Sequence, residues 1–380
     1  MHEATLKLAQ DLIRCPSVTP KDEGVYDVLK TALETIGFDC HILTFEQPDK
    51  PPVTNLFARY GAGAPHFCFA GHVDVVPIGD ENDWDLPPFN ADIKDDRLFG
   101  RGASDMKGAV AAFVAAAQSF IADKTGFNGS ISLLIAGDEE ATGAIGTEQV
   151  LAWLKERGEI PDLCLVGEPT NPDTMGEMIK IGRRGSITGK LQVTGVQGHA
   201  AYPHLADNPI PKMVDLLNAL KNIEFDQGSE FFQATNLEIV SVDTGNTADN
   251  VIPARINAMF NVRFNELHTS EDIEKIIHTA MNKTGHEYQL NFHRSGESFL
   301  TQPGPLSDAV QQAVHMVTGR KPNLTTTGGT SDARFISQYC PVVEFGGVGA
   351  SMHKVDENIL LSDLYALADI YKAVLSKVFA

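Results

Sequence analysis

The sequence predicts an α/β protein: a mixed, mostly parallel sheet covered by helices, with a smaller ferredoxin-like α+β domain inserted into it. Near-continuous apolar runs such as SISLLIAG (130–137) alternate with helix patterns, as strands buried on both faces do. From about Lys180 the pattern changes to polar–apolar alternation, and the element order from there, β-α-β-β-α-β, is the split ferredoxin-like arrangement. A chain of 380 residues is also long for a single core.

Helix periodicity covers Thr5–Arg14 and Val25–Ile36, the second closed by Gly37. Strand-like runs come next at Cys40–Phe45, Asn55–Tyr60 and Pro65–Ala70. After a loop over Pro77–Pro88 comes the glycine-rich GRGASDMKG (100–108), and an Ala-rich helix starts just beyond Asp105. The buried strand at 130–137 leads to a helix over Gly146–Arg157 and a strand over Asp162–Val166. In the inserted segment, strands are predicted at Thr188–Val196, Asn236–Val242, Arg255–Phe264 and Tyr288–His293, with helices at Pro211–Leu220 and Ser270–Asn282. The domains are thus read as 1–179 with 294–380, and 180–293 inserted between them.

The chain is 43% hydrophobic and 21% charged, as soluble globular proteins are. A formal net charge of −20 argues against sequence-independent nucleic-acid binding, which needs Lys and Arg to neutralise phosphates. No basic segment followed by an apolar run opens the chain, so no signal peptide is expected. The longest apolar stretch, Ala109–Ala117, is too short to span a membrane. Five cysteines with no CxxC pair fit reduced thiols in a cytoplasmic protein, with Cys68 and Cys164 buried in strands.

His72, Asp105, Glu140, Glu168 and His353 are read as standing at the ends of apolar, strand-like runs. In open α/β sheets the carboxyl ends of the strands form the ligand crevice. Two histidines and three carboxylates collected there supply what two zinc ions need. His72 and Asp74 form His-x-Asp at a strand end, where a period of two points both side chains to one face. An Asp there can hold a ligating imidazole in one tautomer, although a solvated loop pair would read the same. Asp105 precedes a helix, so plain helix capping competes with a role as a carboxylate shared by two cations. Glu139 and Glu140 cannot easily both point at one metal; one can ligate while the other moves a proton. The proline after Glu168 restricts that residue to extended conformations.

Taken in order, GHVDVVP (71–77), GRGASDMKG, GDEEATG (137–143), VGEPT (166–170) and MHK (352–354) resemble the dinuclear zinc aminoacylase and carboxypeptidase superfamily. IKIGRRGS (179–186), VQGHAAYPH (196–204), ADNVIP (248–253) and TTTGGTSDARF (325–335) are similar to its desuccinylase branch, and the resemblance covers essentially the whole chain. It implies a zinc-exopeptidase-like catalytic domain, an inserted dimerisation (lid) domain and a homodimer. It also implies two Zn2+ per subunit, for which Co2+ can substitute. Asp105 would bridge, His72 and Glu168 would complete one site, and Glu140 and His353 the other. Glu139 would be the general acid/base, Asp74 the partner of His72, and His199 an oxyanion donor reaching the partner subunit's site. The peptide after Asp105 would be cis.

The implied reaction is hydrolysis of the succinyl amide of N-succinyl-L,L-2,6-diaminopimelate, a biosynthetic small molecule, by water activated at the zinc pair. Arg183, Arg184 and Arg263 are candidates to bind its carboxylates, although Arg184 and Arg263 could equally serve structural ion pairs. Ser186, Tyr202 and Asn250 would line the pocket, and Gly328, Gly329 and Thr330 would offer donors. Where the branch usually carries Asn-Ala-Thr before its last ligand, this chain reads Gly349-Ala350-Ser351. A substrate-contacting Asn is thereby replaced by Gly349. The nearest alternative is a sister deacylase such as an acetylornithine deacetylase or aminoacylase. A catalytically silent homologue would be expected to lose the base or a ligand, and none is lost here. A nucleotide site is disfavoured, since GRGASDMKG is neither a P-loop nor GxGxxG.

Overall fold

The computed structural model describes residues 1–124, 126–141 and 146–380. Thr142 and Gly143, which end the GDEEATG motif, lie outside the described residues. The described chain divides into two compact units, one of 1–181, 301–325 and 331–380, the other of 182–300 and 326–330.

The first unit opens with α1 (His2–Ile13), α2 (Val25–Thr35) and three strands, β1 (Asp39–Phe45), β2 (Val53–Ala62) and β3 (His66–His72). It continues through α3 (Lys107–Asp123), β4 (Gly129–Ala136), α4 (Thr147–Arg157), β5 (Leu163–Val166) and β6 (Met178–Lys180). In the second unit run β7 (Gly185–Thr194), α5 (Pro209–Lys221), β8 (Asn236–Asp243), β9 (Arg255–Phe264), α6 (Ser270–Asn282) and β10 (Gln289–Gly296). The chain then returns with α7 (Pro305–Thr318), β11 (Asn323–Thr325), α8 (Ala333–Ile336), β12 (Val342–Glu344) and α9 (Leu361–Val378).

The first unit's eight-stranded sheet has the order β1-β2-β4-β3-β5-β12-β6-β11. Pairing is parallel at β4–β3, β3–β5, β5–β12 and β6–β11, and antiparallel elsewhere. β3 and β4 are buried along their whole length, which explains their continuous apolar runs. Phe69 of β3 stacks on Phe113 of α3 at 4.3 Å and meets Tyr371 of α9 edge-on at 5.4 Å. Such ring pairs add about 0.5–1.5 kcal/mol each beyond the area they bury. The alanines of α3 are spaced all round the helix and almost all buried, because α1 and α9 both pack against it. β6, β11 and β12 are three residues each, too short for periodicity to reveal them.

In the second unit the sheet order β8-β9-β7-β10 is the ferredoxin-like one. α5 and α6 cover one face, burying Met213, Leu216, Ile273 and Ile277 against Ile187, Leu191, Phe260 and Val262. Asn208 caps α5 by accepting from the Ile210 amide, and Thr269 with Asp272 closes a reciprocal capping box on α6. Among the described residues no helix is long and apolar enough to cross a membrane. All five cysteines are unpaired, with Cys68 and Cys164 buried as expected.

Candidate metal centre

Strand register brings the first candidate ligands together. β3 pairs Ala70 with Val166 of β5, so Glu168, two residues past β5, comes level with His72. β3 also pairs His72 with Ala136, the last residue of β4, which carries Glu139 and Glu140 just beyond. All of these sit at carboxyl ends of parallel strands, where a sheet opens to a ligand. Glycine before both His72 and Glu168 leaves room for the side chains packed beneath them. A Cβ at Gly71 would collide with Met106 Cε, and one at Gly167 with Phe69 and with Met106 Cε at 2.6 Å.

Asp105 and His353 arrive differently. Neither ends a strand, contrary to the expectation from sequence. Asp105 lies in the turn before α3, whose N-cap position is Met106 with no side-chain cap bond, so helix capping does not account for the carboxylate. The Asp105–Met106 peptide is cis. His353 comes nine residues after β12, in a turn where its φ is +61°. Periodicity carries no signal for such irregular segments, and strand logic therefore misplaces both.

The geometry is that of a shared carboxylate. Asp105 Oδ1 lies 3.3 Å from His72 Nε2, and Asp105 Oδ2 lies 3.3 Å from His353 Nε2. Glu168 Oε1 is 3.8 Å from His72 Nε2, and Glu140 Oε1 is 2.8 Å from His353 Nε2. Potential ligand atoms of His72, Asp105 and Glu140 lie within 4.8 Å of one another, as do those of His72, Glu139 and Glu168. His72 Nδ1 donates to the Asp74 backbone carbonyl at 2.9 Å. That bond leaves the Nε2 lone pair of a neutral ring aimed at carboxylate oxygens, a contact that only a cation or proton between them makes favourable. Asp74 therefore orients the ring through its backbone. Its carboxylate, 3.6 Å from Nδ1, instead accepts the amides of Glu139 at 3.3 Å and Glu140 at 3.1 Å. It fixes the carboxylate doublet in place.

Electrostatics describe an excess of buried negative charge. Burial pushes the Glu168 carboxyl well above the usual range, and the charges of Asp105 and Glu139 push it further. Glu139 rises to about 8, from burial and then from Asp332, Glu140 and Asp105, against the pull of His72. His353 rises to about 10 through its hydrogen bonds to Asp105 and Glu140. Burial alone would raise Asp105, but hydrogen bonds from His353 and His72 hold it well below the carboxylate range. Divalent cations fit this donor set, because imidazole nitrogen and carboxylate oxygen are zinc-type ligands and two positive charges offset the crowding.

The remaining candidates fall into three groups, nearly all in the second unit. Arg183 Nη1 donates to the Gly329 carbonyl at 3.0 Å, which joins it to the Gly328–Thr330 segment. Ser186 faces Arg263 across β7 and β9. Arg263 donates to Asn261, and Arg184 to Asn236 at 2.9 Å. Among the described residues neither pairs with a carboxylate, and burial with the Arg184 charge lowers the Arg263 pKa. The His199 ring meets that of Tyr202 edge-on at 5.6 Å, and Asn250 accepts the Ala200 amide through its carbonyl at 2.9 Å. His199 Nδ1 accepts from the Ala201 amide, which leaves Nε2 as the ring nitrogen to carry a proton. At Gly349, in the first unit, a Cβ would lie 3.3 Å from Met352 Sδ and 3.6 Å from Pro169, so room for an Asn there is partly taken.

Sequence reasoning missed two supports of this site. Asn171, buried, accepts the amides of Gly176, Glu177 and Met178 and donates to the Gly346 carbonyl, tying the stretch after Glu168 to the one before His353. Glu357 and Arg101, both buried, pair at 2.8 Å. Their only signal in sequence is proximity to candidate ligands, and buried polar side chains cannot be told from loop ones by pattern.

The model for peptidase family M20/M25/M40 matches residues 68–377. A protein of Rhodospirillum centenum named succinyl-diaminopimelate desuccinylase is 55% identical over 99% of this chain and 97% of its own. Among solved structures, an M20 family metallo-carboxypeptidase of Sulfolobus solfataricus shares the fold at TM-score 0.79 and 18% identity, covering 99% of both chains. So does a Bacillus subtilis dinuclear metal-binding peptidase of the M20 family, at TM-score 0.69 and 15% identity, over 100% of this chain and 99% of that one. With a cluster able to hold metal at the end of its sheet and a relative this similar over its full length, the chain belongs to the succinyl-diaminopimelate desuccinylase family within peptidase family M20/M25/M40.

Proposed function

We propose that this protein is a zinc-dependent amidohydrolase that cleaves N-succinyl-L,L-2,6-diaminopimelate to succinate and L,L-2,6-diaminopimelate, in the synthesis of lysine and diaminopimelate. The observation that carries this reading is Asp105, whose two oxygens each face a different histidine. His72 and Glu168 with Asp105 would hold one Zn2+, and Glu140 and His353 with Asp105 the other. Co2+ suits the same donors. When bound, such a pair polarises the amide carbonyl and acidifies water at neutral pH. Glu140 is engaged with His353, which leaves Glu139 to take the proton from water and hand it to the departing amine. Asp74 keeps His72 and the doublet in register. With Nδ1 accepting from a backbone amide, the Nε2–H of His199 is suited to donate to the developing oxyanion.

A succinyl group brings a carboxylate beyond those of the amino-acid part. Arg184 and Arg263, two guanidiniums without a carboxylate partner among the described residues of a chain of net charge −20, support anion recognition there. Arg183, Ser186, Tyr202, Asn250, Gly328, Gly329 and Thr330 would complete the contacts. A sister deacylase acting on acetyl substrates would have no use for the extra cations. The deciding assay is steady-state turnover of N-succinyl-L,L-diaminopimelate beside N-acetylornithine, with a chelator control. Fast, chelator-sensitive cleavage of the succinyl substrate is expected; preference for the acetyl substrate would overturn the specificity, with Gly349 the first suspect.

In this reading the inserted segment, expected at 180–293 and bounded in the structure at 182–300 with 326–330, is a lid and dimerisation domain within a catalytic body, and the protein is a homodimer. Edge strand β8 supports it. Val240 and Val242 are 54% and 51% exposed, and Ile210 and Val214 on neighbouring α5 are exposed as well. An edge strand with apolar side chains in water needs a partner. Sedimentation equilibrium should return twice 41.1 kDa. Val240→Asp should return the monomer, with turnover reduced at least tenfold if His199 acts across the dimer; a Val240→Asp dimer of full activity would remove this assignment. A cytoplasmic setting suits the five free thiols, and recovery of the protein with secreted fractions would contradict it.

A further inference from the structure

Asp105 occupies a turn, so something other than regular structure must fix its backbone. Glu357 is fully buried, and its carboxylate accepts four donors. Oε1 takes the amides of Ser104 at 2.9 Å and Asp105 at 3.0 Å; Oε2 takes the amide of Gly102 at 3.0 Å and Arg101 Nη1 at 2.8 Å. The same Arg101 Nη1 donates at 3.0 Å to the carbonyl of Lys354, the residue after His353. The guanidinium also lies over the Trp84 ring, 5.1 Å from its centre. A buried carboxylate is tolerable only when its charge and lone pairs are met this fully. One ion pair thus grips two segments far apart in the chain, one carrying Asp105 and the other His353.

We infer that Glu357, acting with Arg101, is the positioning residue that holds Asp105 and His353 at the separation a shared cation requires. The inference rests on the metal reading above. It assigns neither residue a place among the ligands. Groups that orient ligands from behind typically change metal affinity about 10–100-fold when removed, and here a single carboxylate orients two ligands.

The test is calorimetric titration of chelator-stripped protein with Co2+, followed in parallel by the visible d–d absorption of the bound ion. Glu357→Gln keeps the shape and one acceptor but loses the charge. Arg101→Lys keeps the charge but not the reach to both Glu357 and Lys354. At least one of two Co2+ sites should weaken about 10–100-fold in each variant, and its d–d band should shift. Val374→Ala, a buried truncation in α9, measures what general destabilisation does to binding. Affinities and spectra unchanged in Arg101→Lys, or no weaker than in Val374→Ala at a matched loss of Tm, would overturn the inference even if Glu357→Gln failed to fold. Wild-type protein that binds no Co2+ would remove the metal reading and this inference with it.

Discussion

Glu139→Gln should lower kcat by about 10⁴-fold, the upper range for loss of a positioned acid/base, while both metal ions stay bound. Gln fills the same volume and can still hydrogen-bond, but it cannot accept a proton. About 5.5 kcal/mol of barrier is at stake at 1.36 kcal/mol per decade. In the proposed mechanism the two members of the doublet have different surroundings. Glu140 Oε1 already meets His353 at 2.8 Å. The Glu139 carboxylate instead shares a cluster with His72 and Glu168. Because Asp74 holds both backbone amides, substitution at 139 should not displace Glu140. Metal content by mass spectrometry and kcat on the succinyl substrate check the prediction together. Glu140→Gln is the contrast, expected to lose an ion as well as activity. A Glu139→Gln enzyme within tenfold of wild type would take Glu139 out of the mechanism; one that has lost metal would make it a ligand.

Much of this arrangement is legible in the sequence, and the parts that are not share a cause. Strands β3, β4 and β5 announce themselves as apolar runs, and parallel pairing then sets the residues beyond their carboxyl ends along one edge. His72, Glu139, Glu140 and Glu168 can therefore be grouped by pattern alone. The ferredoxin-like order of the inserted unit is readable for a similar reason, since half-exposed strands and amphipathic helices have clear periods. Asp105 and His353 belong to turns, where only tertiary contacts decide direction, and strand logic misplaces them. The strands Met178–Lys180, Asn323–Thr325 and Val342–Glu344 are too short to show a period. Asp74 marks a subtler limit: pattern identifies the residue but not the atom, because side chain and backbone of one Asp can both reach an imidazole.

Removing the metal ions should abolish turnover and also lower Tm by several degrees. Any ligand that binds the native and not the unfolded chain stabilises it by RT ln(1 + [L]/Kd), about 4 kcal/mol per site at a thousandfold excess over Kd. The fold gives that energy a location. Asp105, Glu139, Glu140 and Glu168 crowd their carboxylates around two imidazoles, and Glu168 is raised by burial and by its like-charged neighbours. Positive charge placed among them relieves repulsion that the unfolded chain never experiences. Calorimetric melts with and without chelator, restored by added Zn2+, measure the effect. Asp105→Asn should melt at the same temperature in both conditions, because it loses the carboxylate that, among the described residues, faces both histidines. Glu139→Gln should keep the metal-dependent shift while remaining inactive. These two variants separate holding the ions from using them. A wild-type Tm and turnover indifferent to exhaustive chelation would sink the metal centre as a whole, whatever the fate of Glu139.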